Sequence, residues 1–168
     1  MREIVGTGAH LNATELRLWT SLLDASRILE SELERSLVSR GMTHREYEVL
    51  VRVDGAGGRQ RMSVLARQIE ESAALVSQTV ARLETRGWVT REAAEGDARG
   101  VDAVLTKAGR SVLATAAEPH ANLIRGLLLD PMEDKLSDAA DALGVVADHL
   151  RSHRAGVMCP DTDCPMNG

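Results

Sequence analysis

The sequence predicts a mainly α-helical fold with one small β-ribbon. Its 168 residues contain no Phe, one Tyr and two Trp, and 43% of them are hydrophobic. Leu, Ala and Val dominate this fraction, which favours helices over a β-sandwich. Apolar residues recur at helical spacings of three and four, whereas residues 88–105 form two β-competent runs around a glycine-containing turn. The length allows one substantial core or two small ones.

The first predicted helix covers residues 11–39, and Gly41 ends it. Its stripe of mostly apolar residues follows the three- and four-residue spacing of an amphipathic helix. That stripe consists of Leu16, Trp19, Leu22, Leu23, Ser26, Leu29, Leu33 and Leu37. Thr43 and Glu46 then form a predicted capping box, so a second helix begins there and runs to about Val53. The glycine-rich residues 54–58 end it.

Two shorter helices are predicted next, after a single short strand over residues 59–62. Ser63 is placed to cap a brief helix over residues 64–70, and Ser72 to cap a helix over residues 73–86. This succession is typical of a helix-turn-helix.

The helix of residues 73–86 has two contrasting faces. One face carries Val76, Val80 and Leu83, and the other carries small or hydrogen-bonding side chains with no acid before Glu84. Such a face can enter the major groove, where Gln and Arg bind base edges. The residues that we expect to contact DNA there are Ser72, Ala73, Ser77, Gln78 and Arg82. An ordinary solvated helix surface is the alternative.

The two β-competent runs, residues 88–93 and 101–105, predict a hairpin with a turn over residues 95–100. Along the second run, Val101, Ala103 and Leu105 alternate with Asp102 and Val104, as in a half-buried strand. Arg99 at the tip is placed to enter the minor groove. Asp97 is expected to hold Arg99 by a charge-assisted hydrogen bond and to cap the turn. A surface hairpin with an incidental ion pair is the alternative.

The net charge of −5 argues against a nucleic-acid partner until its distribution is considered. Residues 59–110 contain nine Lys or Arg against seven Asp or Glu, and the rest of the chain contains eleven against eighteen. The positive excess therefore coincides with the predicted helix-turn-helix and ribbon. It is modest, so the electrostatic contribution to binding is expected to be salt-sensitive but not strong.

Two further amphipathic helices are predicted over residues 107–128 and from residue 131 to about 153. Thr106 caps the first, and Asp130 caps the second with Pro131 at its first position. They carry more apolar surface than a small domain can cover, so we expect a homodimer, with internal packing as the alternative. A two-fold dimer would place two recognition helices about one DNA turn apart, on an inverted repeat.

Several motifs in the chain resemble the MarR (multiple antibiotic resistance regulator) family of bacterial transcription factors. The motifs are Ser63-Val-Leu-Ala66, Val76-Ser-Gln-Thr-Val-Ala-Arg-Leu-Glu84 followed by Arg86-Gly87, and Asp97-x-Arg99 with Leu105-Thr106-x-x-Gly109. The resemblance spans about residues 11–153. The family commonly has a second basic residue where this chain has Ala98, and Glu92 and Glu95 flank the tip. A weaker affinity of the hairpin for phosphate is therefore expected.

The resemblance implies a winged helix-turn-helix over residues 43–106. Long dimerisation helices are implied on either side of it, over residues 11–40 and 107–153. Residues 154–168 are expected to form a flexible tail. The resemblance also implies a repressor that binds double-stranded DNA. Family members bind small, often anionic aromatic ligands between the dimer helices and the winged domain, which weakens DNA binding. The candidate lining residues here are Trp19, His44, Tyr47 and Arg52, with packing or surface roles as the alternative.

The C-terminal residues offer a candidate metal site. His149 and His153 lie one helical turn apart, and Cys159 and Cys164 follow. Two imidazoles and two thiolates are a tetrahedral zinc set, which would make the protein a metal-responsive regulator. The spacing is loose, so a disulfide or an inert tail is the alternative.

Other functional classes have little support in the sequence. There is no phosphate-binding loop, H-E-x-x-H or G-x-S-x-G motif, so we do not expect an enzyme or a certain cofactor. The N-terminal region has no cysteine for peroxide sensing. No apolar run approaches a membrane span, and a cytoplasmic protein without a membrane partner is expected. A helical scaffold that does not bind DNA is the remaining rival.

Overall fold

A computed structural model describes residues 10–157, and the side chains of all of these except residues 98, 99 and 155–157. The described elements are α1 (Ala13–Val38), α2 (His44–Gly55), β1 (Arg59–Arg61), α3 (Met62–Ile69), α4 (Ala73–Thr85), β2 (Val89–Ala94), β3 (Asp97–Leu105), α5 (Lys107–Ile124) and α6 (Leu136–Val157). A π-helical turn, Arg125–Leu129, and a 3₁₀ helix, Asp130–Lys135, precede α6. The predicted mainly α-helical fold is confirmed. The chain divides into two compact units, Met1–Ile124 and Arg125–Gly168.

Side-chain caps define most of the helix starts in the first unit. Thr43 and Glu46 form the predicted capping box, in which each side chain bonds the backbone N–H of the other. The Ser72 and Thr106 hydroxyls also accept the expected backbone hydrogen bonds, from Leu75 and Gly109. These three predictions are confirmed.

Two predicted caps are wrong. β1 runs directly into α3, so Arg61 occupies the N-cap position without a side-chain cap and Ser63 already lies inside the helix. Asp130 begins the 3₁₀ helix and does not cap α6, because Glu133 adopts a positive φ of 33° and delays the α-helix to Leu136.

The three strands form an antiparallel sheet in the order β1-β3-β2. We call β2, β3 and their connection the wing. The connection is only Glu95-Gly96, with Gly96 at φ +74°, so the longer predicted turn is wrong. β1 pairs with the inner part of β3, where Arg61 lies opposite Asp102. Beyond that position the wing has two strands.

The core of the first unit lies between the end of α1, the helices α2 to α5 and the sheet. Its fully buried side chains include Leu37, Leu50, Leu65, Val76, Val80, Leu83 and Val89. The predicted alternation of buried and exposed residues along 101–105 is wrong at its first two positions. Val101 is 40% exposed, whereas Asp102 is only 8% exposed. Asp102 is buried because two arginines of β1 pair with it.

Apolar stripes remain exposed on α1 and on α6, each considered within its own unit. On α1 they include Leu16, Trp19 and Leu22, and on α6 Leu143, Val146 and Leu150. None of the described helices has the length and hydrophobicity needed to cross a membrane.

Candidate nucleic-acid interface

Helix α4 buries one face and exposes the other. Val76, Val80 and Leu83 enter the core as predicted. Thr79 is also fully buried, and its hydroxyl donates to the Leu75 carbonyl over 3.0 Å, which satisfies its hydrogen-bonding capacity there. The opposite face exposes Ser72, Ala73, Gln78 and Arg82, and half-exposes Ser77. The predicted contact residues of α4 therefore share one accessible face.

A buried carboxylate ties this helix to α2. Glu46 is 1% exposed, and its two oxygens lie 3.4 Å from Arg82 Nε and 3.5 Å from Arg86 Nη1. Arg82 therefore has a structural partner in addition to its predicted role at base edges. Arg86 also donates to the Gly41 carbonyl and lies over the Trp88 ring. The helix consequently has a fixed orientation on the core.

A second contact joins α4 to the wing. Arg91 of β2 donates from Nη2 to the Ser77 carbonyl over 2.5 Å, and its Nε lies 3.6 Å from Glu84. Sequence reasoning missed Arg91 and the burial of Glu46. The capping box located Glu46 but not its arginine partners, and no local spacing pairs Arg91 with Ser77.

Five charged side chains meet where β1 joins the wing. Asp102 accepts from Arg59 Nη1 over 3.2 Å and lies 3.3 Å from Arg61 Nε. Arg61 Nη1 also bonds Asp97 over 2.7 Å, and Arg59 pairs with Glu92. The hydrogen bond to Asp102, more than that to Glu92, raises the pKa of Arg59. Arg61 is thus a partner of Asp97. The predicted contact between Asp97 and Arg99 stays a prediction, because the structure does not describe the side chain of Arg99.

Two of the four candidate ligand-lining residues, His44 and Tyr47, meet at the His120 ring, whereas neither of the two grooves described below is lined by all four. His44 lines a groove of about 750 Å³, whereas Arg52 lines a separate depression of about 480 Å³. Tyr47 is buried against the His120 ring, with 4.3 Å between centroids, and Trp19 is exposed on α1. The other lining residues of the larger groove are Arg27, Glu30, Ser31, Glu34, Thr43, Arg45, Glu48, Ile69, Glu71 and Arg82.

His120 is a buried polar residue that the sequence did not single out. It is 7% exposed, and within the described part of the chain its Nδ1 has no hydrogen-bond partner. Burial, and then the charge of nearby His44, lower the pKa of His120.

Half of the predicted metal set can be located. His149 and His153 both lie on α6, whereas Cys159 and Cys164 lie outside the described residues. Among residues 10–157, no group of three or more His, Cys, Asp or Glu is placed to hold a metal ion. The four-residue site remains a prediction.

The helix pair α3-α4, with the strand β1 before it and the hairpin β2-β3 after it, defines a winged helix-turn-helix protein. A family model described as "MarR family" matches residues 40–100. The fold is similar to AbsC of Streptomyces coelicolor, a MarR family transcriptional regulator, with a TM-score of 0.83 and 34% identity over 86% of this chain and 99% of that one. Sco3205 of the same organism, solved in complex with DNA, gives a TM-score of 0.81 and 33% identity over 86% and 92%.

A curated relative agrees with these structures. The regulator PecS of Dickeya dadantii (strain 3937) is 27% identical over 138 residues, which cover 80% of this chain and 82% of PecS. The chain belongs to the MarR family of transcriptional regulators, and it is a regulator and not an enzyme.

Proposed function

We propose that the protein is a homodimeric repressor that binds an inverted repeat in double-stranded DNA. Residues 43–106 form the DNA-binding domain, with α4 in the major groove and the wing in the minor groove. The observation that carries this proposal is the accessible face of α4, with Ser72, Ala73 and Gln78 exposed on a helix held from behind by Glu46. The DNA complex of Sco3205, at 33% identity, supports it.

The roles of individual residues follow from their chemistry. Gln78 has both a donor and an acceptor for base edges, and Ser72 and Ala73 are small enough to let the start of α4 approach DNA closely. Arg82 keeps N–H groups beyond the Nε that faces Glu46. Arg99 supplies the charge that we assign to the minor groove.

The dimer would be formed by residues 11–40 and 107–153. The exposed apolar stripes on α1 and α6 support this, because contiguous apolar surface in contact with water is typical of a protein interface. The stripes include Trp19, Leu22, Leu143 and Leu150. Two-fold symmetry then places two copies of α4 on the same side of the duplex.

Release by a small, anionic aromatic ligand is part of the same proposal. The groove at His44 is large enough for such a molecule. Of its three arginines, Arg45 is paired with Glu71 at 2.6 Å, so a carboxylate would be bound by Arg27 and Arg82. Because Arg82 belongs to both the groove and α4, a bound anion would compete with Glu46 for it and disturb the DNA-binding face.

An electrophoretic mobility shift on the DNA upstream of the protein's own gene tests the proposal. Wild type should prefer an inverted repeat over random DNA in a salt-dependent way. Arg99→Ala should weaken binding to all sequences, whereas Gln78→Ala should change the preferred bases. Equal affinity for random DNA would contradict the proposal, and a scaffold that does not bind DNA would give no shift at all.

A further inference from the structure

The wing by itself carries more acid than base. Residues 88–105 include two arginines and four acidic residues. One of the arginines, Arg91, is engaged with α4. A segment with this balance is repelled by DNA phosphates unless its carboxylates are neutralised. Two arginines outside the wing, Arg59 and Arg61 of β1, supply neutralising charge to Glu92, Asp97 and Asp102.

Arg61 reaches the outer wing from the last paired position of β1. Its backbone lies opposite Asp102. Its side chain passes Asp102, with 3.3 Å between Nε and Oδ1, and ends at Asp97, where Nη1 and Oδ2 are 2.7 Å apart. One side chain therefore joins β1 to the part of β3 that β1 does not cover.

Gly100 provides the space for this ion pair. A Cβ atom at Gly100 would lie 1.7 Å from Arg61 Nη1 and 2.9 Å from Asp97 Oδ2, well inside contact distance. The backbone of Gly100 is not in the left-handed region, so space and not φ excludes a side chain there. The obstacle is the end of a flexible side chain, which a methyl group can displace without moving the backbone.

We propose that Arg61 is a positioning residue for the wing in DNA binding, acting through Asp97 in the space left by Gly100. The inference rests on the proposed function. Arg61 neutralises the carboxylate two residues before Arg99 and holds the outer part of β3 against β1. The backbone that bears Arg99 is thereby held in one position before DNA arrives, which lowers the entropy cost of binding.

The test compares Gly100→Ala, Arg61→Gln and the double variant, with Gly55→Ala as a matched control. Gly55 lies in the same unit and does not have a positive φ, and no atom lies within 4 Å of the place that an alanine methyl group would take there. The probe is the duplex that wild type selects from a random pool. Hydrogen exchange at the amides of residues 93–101 and the midpoint of thermal unfolding are measured in parallel.

We expect Gly100→Ala and Arg61→Gln each to weaken binding about three- to tenfold and to speed exchange in the wing. Gly100→Ala should leave the unfolding midpoint little changed, whereas Arg61→Gln should lower it, because it also removes one of the two arginine partners of the buried Asp102. The double variant should be no weaker than Arg61→Gln, because both changes remove the same ion pair. Gly55→Ala should behave like wild type.

Wild-type affinity and wild-type exchange in Gly100→Ala would overturn the inference. A second contradictory result is weakened binding by Arg61→Gln with normal binding by Gly100→Ala. Because Gly100→Ala keeps the charge of Arg61, that result would mean that Arg61 contacts a phosphate directly. If wild type selects no duplex, the proposed function fails and the role in DNA binding fails with it. Exchange alone then decides whether Arg61 and Gly100 hold the wing.

Discussion

At the level of single residues, Glu46 combines two roles in one buried carboxylate. It accepts the Thr43 N–H at the start of α2 and faces Arg82 and Arg86 of α4 and its C-cap. A helix cap contributes about 1 kcal/mol, and a hydrogen bond to a charged group about 1.5–3 kcal/mol. The two arginines are partly exposed, so solvent screening reduces the second contribution.

Glu46→Ala should lower the free energy of unfolding by about 2–3 kcal/mol, because it removes the carboxylate that accepts the Thr43 N–H and leaves two guanidinium groups without their partner. Urea denaturation measures this. Glu48→Ala is the matched control, since it removes only a 3.6 Å surface pair with Arg52 and should change stability by less than about 0.5 kcal/mol. Equal effects of the two substitutions would contradict this account of Glu46.

His120 makes stability depend on pH with a definite sign. Its pKa in the folded protein lies below the ordinary 6.5, because it is buried beside His44 and Tyr47. As pH falls below about 6.5, the unfolded chain therefore binds a proton that the folded chain does not. The free energy of unfolding should therefore decrease as pH is lowered from about 6.5 to the pKa of His120 in the folded protein.

His120→Leu should remove this part of the pH dependence. The difference in stability between the variant and wild type should then shift in favour of the variant as pH falls from 7 to 5. Urea denaturation at several pH values measures it, with the same substitution at the exposed His10 in parallel. A difference that stays constant with pH would show that His120 is not the group responsible.

At the level of elements, the sequence predicted what local spacing controls. The order of helices, the short strand before α3 and the caps at Thr43, Ser72 and Thr106 all depend on residues within four positions of one another. The stripe Val76, Val80 and Leu83 is equally local.

Long-range pairing was beyond such patterns. The turn was predicted too long because Gly96 and Gly100 both suit a turn, yet pairing with β2 draws Asp97 into β3. Asp102 was expected on the outer face, and arginines more than 40 residues away in the chain bring it inside. Of the ligand candidates, His44 and Tyr47 meet at His120, whereas Arg52 lines a separate depression and Trp19 is exposed on α1.

At the junction between the wing and α5, replacing a glycine by alanine should destabilise the protein, whereas the same replacement on α6 should stabilise its helix. A Cβ atom at Gly109 would lie 2.1 Å from the Trp88 carbonyl oxygen, which is backbone and cannot move away cheaply. Gly109→Ala should therefore lower the free energy of unfolding by about 1–3 kcal/mol despite the better helix propensity of Ala.

Gly144 on α6 is the matched control, because no atom lies within 4 Å of the corresponding position. There, Ala should raise the stability of its helix by about 0.5–1 kcal/mol. Denaturation curves of both variants measure these effects. Stabilisation by Gly109→Ala would contradict the close approach of α5 to Trp88.

At the level of the whole molecule, the account requires two chains. Leu143→Glu on the exposed stripe of α6 should convert a dimer of twice 18.1 kDa into monomers and weaken DNA binding together with dimerisation. Val145→Glu is the control, because Val145 is exposed on the opposite side of the helix. Sedimentation equilibrium measures the masses, and a monomeric wild type would contradict the dimer.

The most direct test of the central claim is selection of duplexes by the wild-type protein from a random DNA pool. The account predicts enrichment of an inverted repeat whose half-sites are centred about 10 base pairs, one helical turn, apart. Recovery of sequences without a shared motif, or of a single unrepeated site, would contradict binding by two symmetric winged helix-turn-helix domains.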